Sequence, residues 1–149
     1  MTTTLRTGHV GLNVTDLGRS LAFYRDVLGF TLLVEGKEDD RLFALLGDGQ
    51  SLTLALWEQA AQPFDGGRAG LHHLALEADS VERVKEYEEA LRAYGAEFAY
   101  DGVVAHREGA ASGGIFFHDP DGIRLEIFTP TGVEGAPAPN ESAPTCGFF

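Results

Sequence analysis

Cysteine is nearly missing from this chain: Cys146 is the single one in 149 residues. One thiol excludes an internal disulfide framework and a cysteine-rich metal site. Positive charge is scarce too. Eleven Lys and Arg stand against 23 Asp and Glu, a formal net charge of −12. Such a field repels a phosphate backbone and an anionic bilayer, so neither nucleic acid nor membrane is an expected partner. No apolar run approaches the length of a membrane span, and the opening Met-Thr-Thr-Thr-Leu-Arg-Thr holds no apolar signal region. The expected location is cytoplasmic. What the sequence does contain is 44% hydrophobic residues, enough at this length for one buried core, so residues 1–149 are read as a single domain.

Periodicity organises that domain. Val10, Leu12 and Val14 alternate with His9, Gly11 and Asn13, the period of a strand. Asp16 is placed to cap a helix from Leu17 to Val27, with apolar residues at Leu17, Leu21, Phe23, Tyr24, Val27 and Leu28. Gly29 stands where such a helix stops. Strands are predicted over 30–34, 41–46 and 52–57, the last two joined by a turn at Gly47-Asp48-Gly49. After a loop over 58–70 the order returns. Residues 73–78 alternate, Asp79-Ser80 introduces a helix over 81–94, and Gly95 ends it. Strands follow at 97–104 and 114–118, then the tight turn Asp119-Pro120-Asp121-Gly122 and a last strand over 123–129. His9 and His73 are 64 residues apart, Gly29 and Gly95 66, and Gly49 and Gly122 73, the drift expected of a duplicated unit with loop insertions. The fold class is therefore α+β, two tandem βαβββ modules at 8–58 and 71–129. Residues 130–149 hold four of the six prolines and no period, and read as a flexible tail. Its apolar end, Cys146-Gly147-Phe148-Phe149, is either a loose or surface-docked patch or a flap over a pocket.

Strand parity selects the candidate site. Alternate side chains share a face, and each helix must cover the face carrying Val10, Leu12 and Val14, or Leu74, Leu76, Leu125 and Ile127. His9, His73 and Glu126 then project from the opposite face. Two imidazoles and a carboxylate suit a divalent ion (Fe2+, Mn2+, Ni2+ or Zn2+) with open positions. Plain solvated side chains or a hydrogen-bonded pair are the alternative reading of each residue taken alone. Asn13, Phe43, Thr53, Trp57, Phe116 and Phe128 share this face and are assigned to substrate binding, although the aromatics serve equally as core filling. His118 is either a general acid/base or a turn histidine bonded to Asp119 or Asp121. Glu58 falls on the covered-face parity, and His72 and His106 are given no role.

The runs His9-Val-Gly-Leu-Asn-Val-Thr-Asp-Leu17, Ser20-Leu-Ala-Phe-Tyr-Arg-Asp-Val-Leu-Gly-Phe30, His73-Leu-Ala-Leu76 and Phe117-His-Asp-Pro-Asp-Gly-Ile-Arg-Leu-Glu126 resemble the vicinal oxygen chelate superfamily. That group includes glyoxalase I, extradiol dioxygenases, fosfomycin resistance proteins and bleomycin-binding proteins. The resemblance spans about residues 8–129. It implies curved mixed sheets that cup a site, a small-molecule substrate chelating a divalent ion, dioxygenase- or lyase-like chemistry, and a homodimer whose sites mix halves of two chains. Thr53 stands where glyoxalase I carries a glutamate ligand, so glyoxalase I proper is not expected. Gly11 and the lysine-free stretch 105–114 speak against fosfomycin as substrate. The alternative function is metal-independent sequestration of a cationic antibiotic, as in the bleomycin-binding proteins.

Overall fold

The computed structural model describes residues 3–140, 143–147 and 149. Two compact units divide the chain, residues 1–63 and 64–149. No described helix is long and apolar enough to cross a membrane.

The first unit runs β1 (Val10–Val14), α1 (Leu17–Leu21), a π-helical turn (Ala22–Val27), β2 (Thr31–Glu38), β3 (Arg41–Gly47) and β4 (Leu52–Glu58). Asp16 caps α1 through its carboxylate, which accepts from the Arg19 N–H at 3.0 Å. The expected single helix widens after one turn. Phe23 and Leu28 are both buried and lie five residues apart, and the Leu28 N–H donates to the Phe23 carbonyl. A π-turn stacks positions that an α-helix would splay. The sheet order is β1-β4-β3-β2, with β1 parallel to β4 and the other pairs antiparallel. β2 is longer than the expected strand over 30–34. Asp39 and Asp40 both take positive φ, 47° and 66°, a two-residue turn whose twist lets β2 and β3 pair to their ends.

The second unit repeats this plan with β5 (Leu74–Glu77), α2 (Val81–Tyr94), β6 (Glu97–Phe98), β7 (Val104–Ala105), β8 (Gly113–His118) and β9 (Arg124–Thr129). Ser80 caps α2 by accepting from the Arg83 N–H at 3.1 Å, and Gly95 closes it at φ 92°. The sheet order is β5-β9-β8-β6, β5 is parallel to β9, and β7 pairs with β8. Both sheets are mixed, with one parallel pair each in equivalent places. The strand expected over 97–104 is instead two short pieces, because the backbone bends between them, with Gly102 at φ 73°.

α1 packs on β3 and β4, and α2 on β8 and β9. These contacts bury Leu12, Val14, Leu54 and Leu56 in one unit, and Ile115, Phe117, Leu125 and Ile127 in the other. Side chains of opposite parity line the face each helix leaves free.

The described residues of 130–149, a stretch expected as a flexible tail, pack back onto the second unit. Val133 is buried, and its N–H donates to Ala111 O at 3.1 Å. The Ala105 N–H donates to Pro137 O at 2.9 Å. A short 3-10 turn, Thr145–Gly147, follows. Thr145 is fully buried: its hydroxyl donates to Ala105 O at 2.7 Å, its N–H donates to His106 O, and its carbonyl accepts from the Tyr100 hydroxyl. Low periodicity concealed this because the segment is held by single anchoring residues rather than by a repeating stripe. Phe148 of the apolar end lies outside the described residues.

Candidate metal centre

β9 lies between β5 and β8, and its register places Ala75 and Phe116 on either side of Glu126. Glu126 therefore sits mid-sheet on the face opposite α2. Ile127 and Leu125, of the other parity, are buried in the core, which fixes the orientation of the carboxylate between them. His73 immediately precedes β5. Its ring reaches the same place, with Nε2 3.4 Å from Glu126 Oε1. Its Nδ1 faces His72 Nδ1 at 2.8 Å, which leaves Nε2 to face the carboxylate.

The second carboxylate oxygen has its own partner. His106 Nε2 lies 2.9 Å from Glu126 Oε2, and His106 Nδ1 lies 2.9 Å from Ser112 Oγ. The placement follows from the β7–β8 hairpin. Val104 pairs with Gly114, and the His106 N–H donates to Ser112 O, so the hairpin continues past β7. His106 then has the parity of Phe116 and Glu126. Sequence reading ended the strand at Val104 and gave His106 no role. Extending the alternation by two residues would have found it. Cys146 was missed as well: one ligand atom each from His73, Glu126 and Cys146 lies within 4.8 Å of the others. No spacing rule connects a residue near the chain end to a mid-sheet strand, so only the docked segment brings the thiol here.

Electrostatics favour a cation. Glu126 is 4% exposed, and among the described residues its ion-pair partners are both imidazoles. A buried carboxylate needs a counter-charge. Burial, the largest influence, holds the His73 imidazole below its ordinary value; Glu126 opposes this, while His72 and Arg124 add to it. His73 is thus neutral near pH 7, the form that ligates a metal but offers no positive charge. Burial and the neighbouring Glu126 push the Cys146 thiol up. Geometry agrees: two ligands each about 2.1 Å from one ion at a tetrahedral angle are separated by about 3.4 Å, the His73–Glu126 distance observed. The donor set fits a divalent ion.

Aromatic side chains surround these groups. The His106 ring packs against Phe116 and Phe128, at 6.3 and 5.5 Å between centroids, and Phe149 stands 5.7 Å from His73 and 5.0 Å from Phe116. Phe116 is fully buried rather than open to a ligand, because Tyr100, His106 and Phe149 cover it. His118 ends β8 with the parity of Phe116. Its Nδ1 is buried and has no hydrogen-bond partner among the described residues.

The first unit holds the other predicted residues. His9 is exposed just before β1. Asn13, also exposed, accepts from Gln59 Nε2 at 2.7 Å. Phe43 and Trp57 are cross-strand partners and stack at 4.9 Å. The Thr53 hydroxyl points to the Leu46 carbonyl at 3.4 Å. Glu58 serves the helix side, accepting from the Leu17 N–H at 2.7 Å.

Known proteins are similar to this chain in sequence and fold. A trivalent organoarsenical cleaving enzyme of Bacillus sp. (strain MD1) is 33% identical over 131 residues, 87% of this chain and 77% of that one. A lactoylglutathione lyase of Salmonella typhimurium is 35% identical over 133 residues, 83% of this chain and 91% of that one. A manganese-dependent 2,3-dihydroxybiphenyl 1,2-dioxygenase of Geobacillus genomosp. 3 is 29% identical over 121 residues, 81% of this chain but 35% of that longer one. The crystal structure of a glyoxylase/bleomycin resistance protein/dioxygenase domain from Frankia sp. EAN1pec superposes with a TM-score of 0.74 at 30% identity, covering 85% of this chain and 93% of that one. The family model for these proteins matches residues 6–127. With its duplicated mixed sheets and a matched span that takes in both halves, the chain belongs to the Glyoxalase/Bleomycin resistance protein/Dioxygenase superfamily.

Proposed function

We propose that this protein is a metal-dependent enzyme acting on a small molecule with two neighbouring oxygens, with His73, Glu126 and His9 as ligands of a divalent ion. The observation that carries the reading is the buried Glu126 carboxylate, 3.4 Å from the Nε2 of His73 and without a Lys or Arg partner among the described residues. His9 is assigned from the repeat, since it holds in the first module the place His73 holds in the second. It comes from the same chain or, in a homodimer, from the partner.

A divalent ion held there would act as a Lewis acid, polarising an oxygen of the chelated substrate. The chain's own residues supply the rest. His106 fixes Glu126 Oε2 and is itself fixed by Ser112, so one carboxylate oxygen remains directed at His73. Phe116 and Phe128 form an apolar wall that limits water near the carboxylate. His118, whose Nδ1 lacks a partner among the described residues, takes or returns a proton on the same face. Lyase chemistry of the lactoylglutathione type is disfavoured, because Thr53 gives a hydroxyl, bonded to Leu46 O, where a fourth carboxylate ligand is needed.

Elemental analysis of protein purified without added metal tests the reading. The wild-type chain is expected to carry about one divalent ion per site, and His73→Ala and His9→Ala are expected to lose it together with turnover of catechol-like or 1,2-dicarbonyl substrates. Equal metal content in wild type and His73→Ala overturns the site. Tight binding of a cationic drug that survives chelation would instead establish sequestration.

A further inference from the structure

The C-terminal segment brings to this centre a group that the proposed ligand set does not use. Thr145 anchors it with a buried hydroxyl and N–H on the backbone of Ala105 and His106, next to the residue that holds Glu126. The next residue is Cys146, whose Sγ lies with His73 and Glu126 in a cluster no wider than 4.8 Å. Beyond it, Phe149 lies edge-on against His73 and Phe116. The segment thus closes over the carboxylate from the side of β7, and its thiol is turned inward.

We propose that Cys146 is a ligand of the same divalent ion, so that the C-terminal segment acts as a clasp that completes the centre when substrate is absent. This rests on the metal-centre reading above. Ligand atoms about 2.0–2.3 Å from a common ion stand about 3.3–3.8 Å apart at tetrahedral angles. The His73–Glu126 pair is already at that separation. The thiol must approach by at most about 1.5 Å, a side-chain adjustment on a short turn. On binding, the S–H proton passes to solvent and the sulfur lone pair goes to the ion, with no change of oxidation state. A thiolate added to the imidazole and carboxylate ligands shifts preference from manganese toward thiophilic ions such as Zn2+ and Co2+. It also fills a position that a bidentate substrate needs, so substrate entry displaces the clasp.

Cobalt titration of the full chain tests this. Wild type is expected to develop the near-ultraviolet sulfur-to-cobalt charge-transfer band along with the weaker visible bands. Cys146→Ser is expected to keep the visible bands and lose the charge-transfer band. Because Cys146 is the single cysteine, its alkylation rate in the unaltered protein gives a second readout, expected to fall at least tenfold when Zn2+ is added. Cobalt bound stoichiometrically with identical spectra in the two proteins overturns the clasp and leaves the metal centre standing, as does alkylation unaffected by bound zinc. Cobalt that fails to bind wild type, or binds His73→Ala equally, overturns both.

Discussion

Glu126→Gln keeps the shape of the side chain and removes its charge, so it separates a metal ligand from a structural hydrogen-bond acceptor. Glu126 is 4% exposed and, among the described residues, faces two imidazoles rather than a guanidinium or ammonium. If an ion supplies the counter-charge, metal at about 100 times its Kd stabilises the wild type by about 2.7 kcal/mol. At about 4 °C per kcal/mol for a chain of this length, Tm rises by about 10 °C. Losing a group that only orients a ligand costs about 10–100-fold in affinity, so losing the charged ligand itself costs at least about 100-fold. At the same metal concentration the variant then gains about 0.4 kcal/mol, or about 2 °C. Without metal the variant should melt at or above the wild type, because an uncompensated buried charge has been removed. Thermal melts of both proteins, with chelator and with Mn2+, Co2+ or Zn2+, measure all four values. The reasoning is refuted if Glu126→Gln keeps the full metal-induced rise. It is equally refuted if wild type shows no rise and the variant melts lower under every condition, the pattern of a carboxylate that merely accepts from His73 and His106.

Three further outcomes are expected. His106→Ala should weaken metal binding by about 10–100-fold through loss of the 2.9 Å contact to Glu126 Oε2; calorimetry measures it, and His106→Gln should recover part of the loss if positioning is the role. Gly95→Ala should cost about 1–2 kcal/mol in denaturant melts, because φ 92° places a Cβ in the left-handed region, while the metal affinity of the folded protein stays unchanged. Thr145→Val should cost about 1–3 kcal/mol by leaving the buried Ala105 carbonyl without its hydroxyl donor, and hydrogen exchange should show Cys146 and Phe149 losing protection before the sheet does.

Much of the fold was legible because it rests on local chemistry. The helix over 81–94, its Ser80 cap and its Gly95 stop depend on side chains within a few residues of one another, and they stand where the periodicity placed them. The correspondence of one module's elements to the other's was visible for the same reason: duplicated turns and caps leave duplicated local signals. The π-turn after Leu21 was not visible, since it answers to the burial of Phe23 and Leu28 rather than to propensity.

At the centre the division is sharper. Sequence alone determined that His73 and Glu126 share a face, because a strand alternates with period two and the apolar residues of opposite parity, Leu74, Leu76, Leu125 and Ile127, fix its phase. It could not determine that both oxygens of Glu126 are engaged, that His106 engages one of them, or that a proline-rich tail delivers Cys146 beside them. Those contacts join residues 20 or more positions apart through hairpin register and through a few buried anchors such as Thr145. Period and propensity carry no information about such distances; only the closed packing of the second unit sets them.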